Sequence, residues 1–383
     1  MRWSLKIGSV SGIGIYVHWT FVLLIAWVFW ANYSPQTGLA QALEAVALVV
    51  AIFGCVVLHE LGHSLTALRY GIRTRDITLL PIGGVASLER IPENPKQELW
   101  ITINGPLVNL IIAGALYIGL SATGALGEEV RRLSEAVENL QPGDQPPRPS
   151  FLFSLMAINL FLVLFNLLPA FPMDGGRILR ATLAFFLDYP TATRIAARVG
   201  QLMAILFATA GLFWNPFLLL IALFVFLGAE AESQAAAMRA AFRGLQVRDG
   251  MMTRFRVLHP DDTLRHAADE LLAGSQQDFP VVTNGEGGPA QVVGMLPRAA
   301  LLRALAAGGL EAPVAQAMVR DCPVVQEHEP IELVYQRMRE NGCAALPVVR
   351  QGELVGLLSL ENVSEMVMIR SALEGSADRA VTG

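Results

Sequence analysis

The strongest chemical signal in the sequence is the run His59-Glu60-Leu61-Gly62-His63, which lies inside a long apolar stretch. Residues four apart on a helix share one face, so both imidazoles can bind the same metal ion. Glu60 then lies beside that ion, where it can take a proton from a metal-activated water. Catalytic zinc usually has three protein ligands and one water. The run therefore predicts a hydrolytic zinc site that needs one more protein ligand.

The third ligand is expected to be Asp174, within the segment 166–177 that reads Asn-Leu-Leu-Pro-Ala-Phe-Pro-Met-Asp-Gly-Gly-Arg. Its two prolines interrupt a helix and its Gly-Gly pair allows a sharp turn. Irregular backbone at membrane depth is tolerated only where it is buried in protein or lines a cavity. A second role for Asp174, as the cap of a helix over 175–187, remains open.

The same four ionisable side chains, His59, Glu60, His63 and Asp174, also permit a different class of function. Ionisable groups inside apolar spans are costly and mark functional sites, which include ion pathways as well as catalytic centres. A membrane ion transporter is therefore the alternative to a hydrolytic enzyme. A glutamate between paired histidines favours hydrolysis, because ion transport does not require a general base.

Composition divides the chain into a membrane part and a water-soluble part. The mean hydropathy is +0.47 and 16% of residues are charged, against roughly a quarter in soluble proteins. Six segments approach the roughly 20 apolar residues that a span requires. They are 15–32, 42–68, 99–122, 151–171, 199–214 and 216–232. The mixed segment 174–198 is expected to form a re-entrant or interfacial helix.

The distribution of basic residues predicts the orientation in the cell membrane. With a cytosolic N-terminus, the inner connections contain Arg69, Arg73, Arg75, Arg90, Lys96, Arg177, Arg180, Arg194 and Arg198. The outer loop 123–150 contains fewer basic residues, and we expect it to be flexible. Because Lys and Arg concentrate in cytosolic loops, both termini are predicted to be cytosolic in a multi-pass protein.

The C-terminal part contains an internal repeat. Phe279-Pro-Val-Val corresponds to Leu346-Pro-Val-Val, and Val293-Gly-Met-Leu corresponds to Val355-Gly-Leu-Leu. Matched landmarks in the same order, at a period in the sixties, indicate two copies of one structural unit. Each copy is expected to fold as strand, helix, strand, strand, helix.

The two membrane motifs together resemble the site-2 protease family of intramembrane metalloproteases. The resemblance implies that His59, His63 and Asp174 bind one Zn²⁺ per chain and that Glu60 activates the water. It also implies that Asn166 helps to hold the substrate or the developing oxyanion. The expected substrate is a membrane-spanning regulatory protein, cleaved in or near its transmembrane segment.

Two further segments resemble parts of the same family. The stretch 104–109, Asn-Gly-Pro-Leu-Val-Asn, is similar to the third-span motif, in which small residues let helices approach closely. A plain interhelical hydrogen bond by Asn109 remains open. The stretch 80–88 resembles the glycine-containing hairpin near the active site, whose edge can pair with an unwound substrate strand. A hairpin without a substrate role is the alternative, and His18 is expected to make a structural polar contact.

The repeat resembles a pair of cystathionine-β-synthase (CBS) domains. That resemblance implies a homodimer and an adenine nucleotide bound near Gly356, Ser359 and Asn362. Asn362 stands where Asp is usual and Pro297 stands where Ser or Thr is expected. One nucleotide site is therefore predicted to be degenerate, and dimerisation without nucleotide is the alternative.

These observations predict a polytopic α-helical membrane domain of about six spans followed by an α/β tandem CBS pair. The expected boundaries are 1–235 for the protease domain, 236–310 for a linker helix and first CBS domain, 311–372 for the second, and 373–383 for a tail. The net charge of −5 and the lack of a basic block exclude nucleic acid as an expected partner. The expected partners are the lipid bilayer, the protein substrate and a second copy of the chain.

Overall fold

The structure is a computed structural model that describes residues 4–34, 38–81, 83–88, 92, 94–139, 147–283, 291–307 and 309–381. The chain forms two compact units, Met1–Ala236 and Ala237–Gly383. Residues 140–146 of the outer loop that we expected to be flexible lie outside the described residues, as do Arg90 and one residue of the 80–88 hairpin.

The first unit is built mainly from helices, with four short strands near its start. Its elements are β1 (Ser4–Val10), β2 (Ile13–His18), α1 (Thr20–Asn32), α2 (Gly38–Arg69), β3 (Thr74–Leu80), β4 (Gly83–Leu88), α3 (Pro95–Ala122), α4 (Ala125–Glu138), α5 (Phe151–Asn166), α6 (Asp174–Leu183), α7 (Tyr189–Phe213) and α8 (Phe217–Phe242). The last helix continues past the boundary into the second unit.

Four helices in the described part of the chain are long and apolar enough to cross a membrane: α2, α3, α7 and α8. The apolar helices α1 and α5 are shorter. These six helices overlap the six apolar segments of the sequence. The prediction of a polytopic helical membrane unit is confirmed, but four helices and not six have the full length of a span among the described residues.

The segment 174–198 is not a single helix, which corrects the sequence-based expectation. It contains α6 and the first part of α7, separated after Leu183. The break has a local cause, because the Asp188 carboxylate accepts a hydrogen bond from the Thr191 amide at 3.1 Å and Pro190 occupies the first turn of α7. A side-chain cap and an early proline are typical helix-start signals.

The expected outer loop 123–150 contains helix α4, which also differs from the prediction. Arg132 pairs with Glu129 three residues before it, and Arg131 pairs with Glu135 four residues after it. Such pairs lie on one helix face and support helix formation in water. Because none of the residues of α4 is buried, the helix depends on these local contacts.

The four strands form one sheet in the order β1-β2-β3-β4. The pairs β1/β2 and β3/β4 are antiparallel, and β2/β3 is parallel with Ile15 opposite Ile77. The sheet packs on α2 through a cluster of Ile13, Leu61 and Ile77. Strand β4 is an edge strand of this sheet and lies along the helix that carries the two histidines.

The second unit is α/β. Its elements are α9 (Val247–Gly250), α10 (Leu264–Ala273), β5 (Phe279–Thr283), β6 (Gln291–Leu296), α11 (Arg298–Ala306), a short 3-10 helix (Val314–Gln316), β7 (Val325–Gln326), α12 (Ile331–Asn341), β8 (Ala345–Arg350), β9 (Glu353–Ser359) and α13 (Leu360–Val381). The second repeat has the expected element order. In the first repeat, the expected first strand is an isolated bridge between Leu258 and Val281.

The two repeats exchange their leading segments. Met252, ahead of the first repeat, bridges Leu357 in β9 of the second, and Val319, ahead of β7, bridges Met295 in β6 of the first. The same exchange divides the apolar cores, since Val247 packs with the second repeat and Val314 with the first. Each repeat therefore completes the core of the other, as expected for a tandem pair that folds together.

Candidate active site

The side chains of His59, His63 and Asp174 converge at one buried point. The two histidine Nε2 atoms are 3.1 Å apart, and each lies 3.2 Å from Oδ2 of Asp174. All three residues are at least 93% shielded from solvent. Three ligand atoms around a tetrahedral zinc ion lie about 3.3 Å apart, so the triangle has the dimensions of a zinc site.

The hydrogen bonds around this triangle favour a cation at its centre. His63 Nδ1 donates to the Ile101 carbonyl at 2.8 Å, which leaves a lone pair on Nε2 for a metal. Oδ2 of Asp174 has no conventional hydrogen-bond donor among the described residues. The lone pairs of the imidazole nitrogens and of the carboxylate oxygen repel one another when no hydrogen-bond donor lies between them. The donor set therefore fits zinc, which is bound by imidazole nitrogen and carboxylate oxygen.

Helix α3 supports the two histidines from one side. Besides the Ile101 carbonyl, it places Gly105 directly against both imidazoles. A methyl group on Gly105 would overlap the His63 ring and lie 2.8 Å from His59 Nε2. The small residue is therefore required by the close approach of α3 to α2, as the resemblance of the 104–109 stretch implies.

Asp174 reaches the site because the chain turns back sharply after α5. Residues 167–173 form turns, and Asp174 is the first residue of α6. A side chain on Gly175 would overlap the Leu167 and Leu168 backbone, so the helix start lies directly on the preceding turn. Met173 occupies the cap position and no side-chain cap hydrogen bond is present. The capping role considered for Asp174 is therefore not seen, and its carboxylate points to the histidines.

Glu60 lies beside the triangle, between the histidines in sequence and against strand β4 in space. A methyl group on Gly84 would lie 3.0 Å from Glu60 Cγ and 3.1 Å from Val56 Cγ1. The carboxylate that is predicted to act as the base therefore adjoins an edge strand. This arrangement brings a proton acceptor and a potential peptide-binding edge together at the metal-binding residues.

The asparagines of α3 and α5 differ in environment. Asn166, the predicted substrate-binding residue, is half-buried at the last position of α5. Asn159, two turns earlier, is fully buried and donates to Cys55 Sγ at 3.4 Å and to the Leu155 carbonyl at 2.8 Å. Asn159 was not predicted from the sequence. The feature of the sequence that could have indicated Asn159 is a polar residue within the fourth apolar segment.

Asn109 on α3 is also buried, and its Oδ1 lacks a hydrogen-bond partner among the described residues. That oxygen therefore makes no interhelical hydrogen bond with the described residues. His18 makes the local polar contact that we expected. Its Nδ1 lies 2.8 Å from Thr20 Oγ1, at the start of α1.

Arg180 is not the free inner-loop cation that the charge count assumed. Its side chain is 1% exposed and bonds to Glu98 on α3 and to Glu232 on α8. This network was not predicted from the sequence. The available signal was an acidic residue at the start of one apolar span and another within the last, because such groups are buried only when paired.

The predicted nucleotide-binding residues lie at two positions in the second unit. Ser359 and Asn362 line a cavity of about 270 Å³, which also includes Asp278 and Ala344. The main-chain amide of Asn362 donates to Ser359 Oγ at 3.1 Å, and the Ser359 hydroxyl donates to the side-chain Oδ1 of Asn362 at 2.5 Å. Gly356 is not among the residues that line the cavity, and it packs against Met251 instead.

Comparison with known proteins gives matches in both units. The profile described as Peptidase family M50 matches residues 47–210, and the profile described as CBS domain matches 246–307 and 314–368. The zinc metalloprotease MJ0392 of Methanocaldococcus jannaschii is 36% identical over 287 residues, covering 75% of this chain and 77% of that protein.

Two other matches concern the membrane unit. Stage IV sporulation protein FB of Bacillus subtilis is 28% identical over 196 residues, covering 51% of this chain and 58% of that protein. The solved structure of the site-2 protease from Methanocaldococcus jannaschii is 37% identical, covers 66% of this chain and all of that one, and superposes with a TM-score of 0.41.

The fold, the metal-ligand triangle and these matches define a multi-pass membrane zinc metalloprotease with a C-terminal CBS pair. The chain belongs to Peptidase family M50, the site-2 proteases. The family and the enzyme class predicted from the two membrane motifs are confirmed. The transporter alternative receives no support from these matches.

Proposed function

We propose that this protein hydrolyses peptide bonds in or near the transmembrane segments of membrane-tethered regulatory proteins. The observation that carries the proposal is the triangle of two imidazole nitrogens and one carboxylate oxygen, with edges of 3.1 to 3.2 Å, beside Glu60. Its burial in a helical unit with spanning helices favours substrates that are themselves embedded in the bilayer.

In this proposal, His59, His63 and Asp174 hold one zinc ion and Glu60 moves the proton. Zinc held by these three residues would supply Lewis acidity to the scissile carbonyl and to the attacking water. Glu60 accepts the proton of that water and returns it to the leaving amine. Asn166 is proposed to hold the substrate or the developing oxyanion, for which its half-buried position at the end of α5 leaves its side chain accessible.

A helical substrate must unwind before cleavage, because its carbonyl groups are hydrogen-bonded within the helix. Strand β4 is proposed to receive the unwound segment. It is an edge strand, and Gly84 brings its backbone against the Glu60 side chain. Pairing along such an edge gives main-chain hydrogen bonds without requiring a particular side chain. In the alternative, a hairpin without a substrate role, no substrate strand would pair with this edge.

The orientation is also a proposal. We place both termini in the cytosol, with α1 and α5 crossing as short spans beside the four longer helices. Arg69 at the end of α2, Arg73 in the connection that follows and Arg75 in β3 support this direction, since short basic segments next to a span stay cytosolic. The zinc-ligating end of α2 is then close to the cytosolic face, from which water can reach the site.

We further propose that the CBS pair forms a homodimer contact and binds an adenine nucleotide that modulates access to the site. The support is the cavity lined by Ser359 and Asn362. Its other described lining residues include Asp278, Glu361 and Glu365 and no Lys or Arg. The negative charge of these carboxylates favours a nucleoside or a ligand with few phosphates over a polyphosphate.

The proposed activity is tested with the full-length protein, reconstituted in vesicles with single-span reporter proteins. One reporter carries helix-breaking residues in its span and the matched reporter does not. We expect zinc-dependent cleavage of the first, faster than that of the second, and none by Glu60→Gln. Ion flux through wild-type vesicles, lost in Glu60→Gln and without any cleavage, would contradict the proposal and favour the transporter.

A further inference from the structure

Arg180 is the centre of a buried charge network in the first unit. Its Nε and Nη2 atoms donate to Glu98 Oε1 at 2.8 and 2.5 Å, and Nη1 bonds to Glu232 Oε1. The guanidinium also lies between two rings, 5.1 Å from the centroid of Phe171 and 5.0 Å from that of Tyr189. Four separate segments therefore meet at one side chain.

Stability alone does not explain such a network. Buried ion pairs lose much of their Coulomb attraction to desolvation, and well-packed apolar side chains of similar volume often hold helices as well or better. What the planar guanidinium adds is direction, because its donors point at fixed angles to the carboxylates. The network is thus suited to setting the relative position of the elements that it joins.

Two of these elements border the metal site. Helix α6 begins with Asp174, six residues before Arg180 in the same helix. Glu98 lies one turn before Ile101 on α3, the residue whose carbonyl binds His63, and Gly105 follows further along that helix. The bond between Arg180 and Glu98 therefore joins the helix that supplies the third ligand to the helix that orients the histidines.

The third element is α8. Glu232 lies on this helix, which continues to Phe242 in the apolar core of the second unit. Glu232 therefore joins α8 directly to Arg180. The network thus connects the metal-binding elements with the helix that leads into the CBS pair.

We propose that Arg180 is a positioning residue that sets the geometry of the zinc site by fixing α6 against α3, with Glu232 as its link to α8. This inference rests on the proposed zinc site. Glu98 and Glu232 orient Arg180, and none of the three side chains needs to touch the metal or the substrate.

The test uses full-length protein in detergent, loaded with Co²⁺, whose visible spectrum reports on ligand geometry. Arg180→Lys keeps the charge but cannot bond both carboxylates with a planar fork. We expect an altered cobalt spectrum and roughly 10- to 100-fold weaker zinc retention against a chelator, the range for lost supporting contacts at metal sites. Arg132→Lys, in the exposed pair with Glu129, is the matched control and keeps both properties.

A second variant separates positioning from folding. Arg180→Met combined with Glu98→Gln and Glu232→Gln removes all three charges, so that no buried charge remains unpaired. We expect this variant to fold and still show the altered spectrum. A wild-type spectrum and wild-type zinc retention in both variants would overturn the positioning role alone. A wild-type protein that bound neither cobalt nor zinc would instead overturn the zinc site on which the inference rests.

Discussion

Gly105 of α3 lies so close to the imidazole of His63 that no side chain can be placed between them. The two residues are 42 positions apart in the chain and belong to different helices. Their contact sets the distance between α2 and α3 at the level of the metal ligands. Close helix contact at a small residue is a common device in membrane proteins, and here it borders a catalytic centre.

Gly105→Ala is expected to reduce zinc binding and activity. Its methyl group would overlap the His63 ring, so the imidazoles or α3 must shift. We expect at least about a tenfold loss of zinc retention, measured by elemental analysis after dialysis against a chelator. Gly114→Ala on the same helix is the control, because no atom lies within 4 Å of its added methyl group. Equal zinc content in the two variants would contradict the close contact.

Glu60→Gln is expected to retain zinc and lose turnover. The amide keeps the shape of the side chain but cannot accept the proton of the water. Removal of a general base usually costs about 10²- to 10⁴-fold in rate. The measurement is the cleavage rate of a membrane reporter by preparations matched for zinc content. Turnover equal to wild type would show that another group acts as the base.

Asp174→Ala is expected to lose most of its zinc, since two histidines alone leave the site short of the usual three protein ligands. Asp188→Ala is the matched control. Asp188 caps α7 through the Thr191 amide, so its loss is expected to cost about 1 kcal/mol of stability without affecting zinc. Metal content and thermal unfolding are measured on both. Zinc at the wild-type level in Asp174→Ala would show that the third ligand is a different residue.

Ala344→Trp is expected to abolish nucleoside binding in the second unit by filling the cavity. Ala344 is exposed and lines that cavity, so the larger side chain does not disturb the apolar core. Titration of the full-length protein with adenosine, AMP and ATP should give the strongest binding for the ligand with fewest phosphates. Leu272→Trp, at a site that is 85% exposed, should bind like wild type. Unchanged binding in Ala344→Trp would place the ligand elsewhere.

Asp278 is expected to make the stability of the second unit depend on pH. Burial raises the pKa of its carboxyl group above the usual value, although the Arg298 amide donates to it at 3.0 Å. The folded state therefore holds this proton more tightly, and the free energy of unfolding falls as pH rises from about 3.9 through the raised pKa.

Asp278→Asn keeps the acceptor for the Arg298 amide and removes the charge. We expect it to unfold at a higher temperature than wild type at neutral pH, with the difference shrinking as the pH approaches about 4. Calorimetry of the full-length protein at several pH values measures this. The exposed Asp269→Asn on α10 is the control. A stabilisation of Asp278→Asn that did not change with pH would contradict the role of this titration.

Local patterns in the sequence were sufficient for several parts of the site. The spacing of His59 and His63 on one helix face follows from helix geometry, and the apolar segments follow from the length that a bilayer requires. The sequence repeat likewise indicated the second unit. The error in 174–198 arose because overall composition concealed a short-range signal, the Asp188 cap followed by Pro190.

The sequence by itself determined the family, the order of the two units and the chemical types around the metal site, because these depend on residue identity and spacing along one element. Only the tertiary structure decided that the carboxylate of Asp174 meets the two histidines, that Gly105 closes on them, and that Arg180 joins three helices. These contacts join residues up to 115 positions apart, from His59 to Asp174. They depend on how closely helices pack, and such distances arise from the fit of many side chains at once.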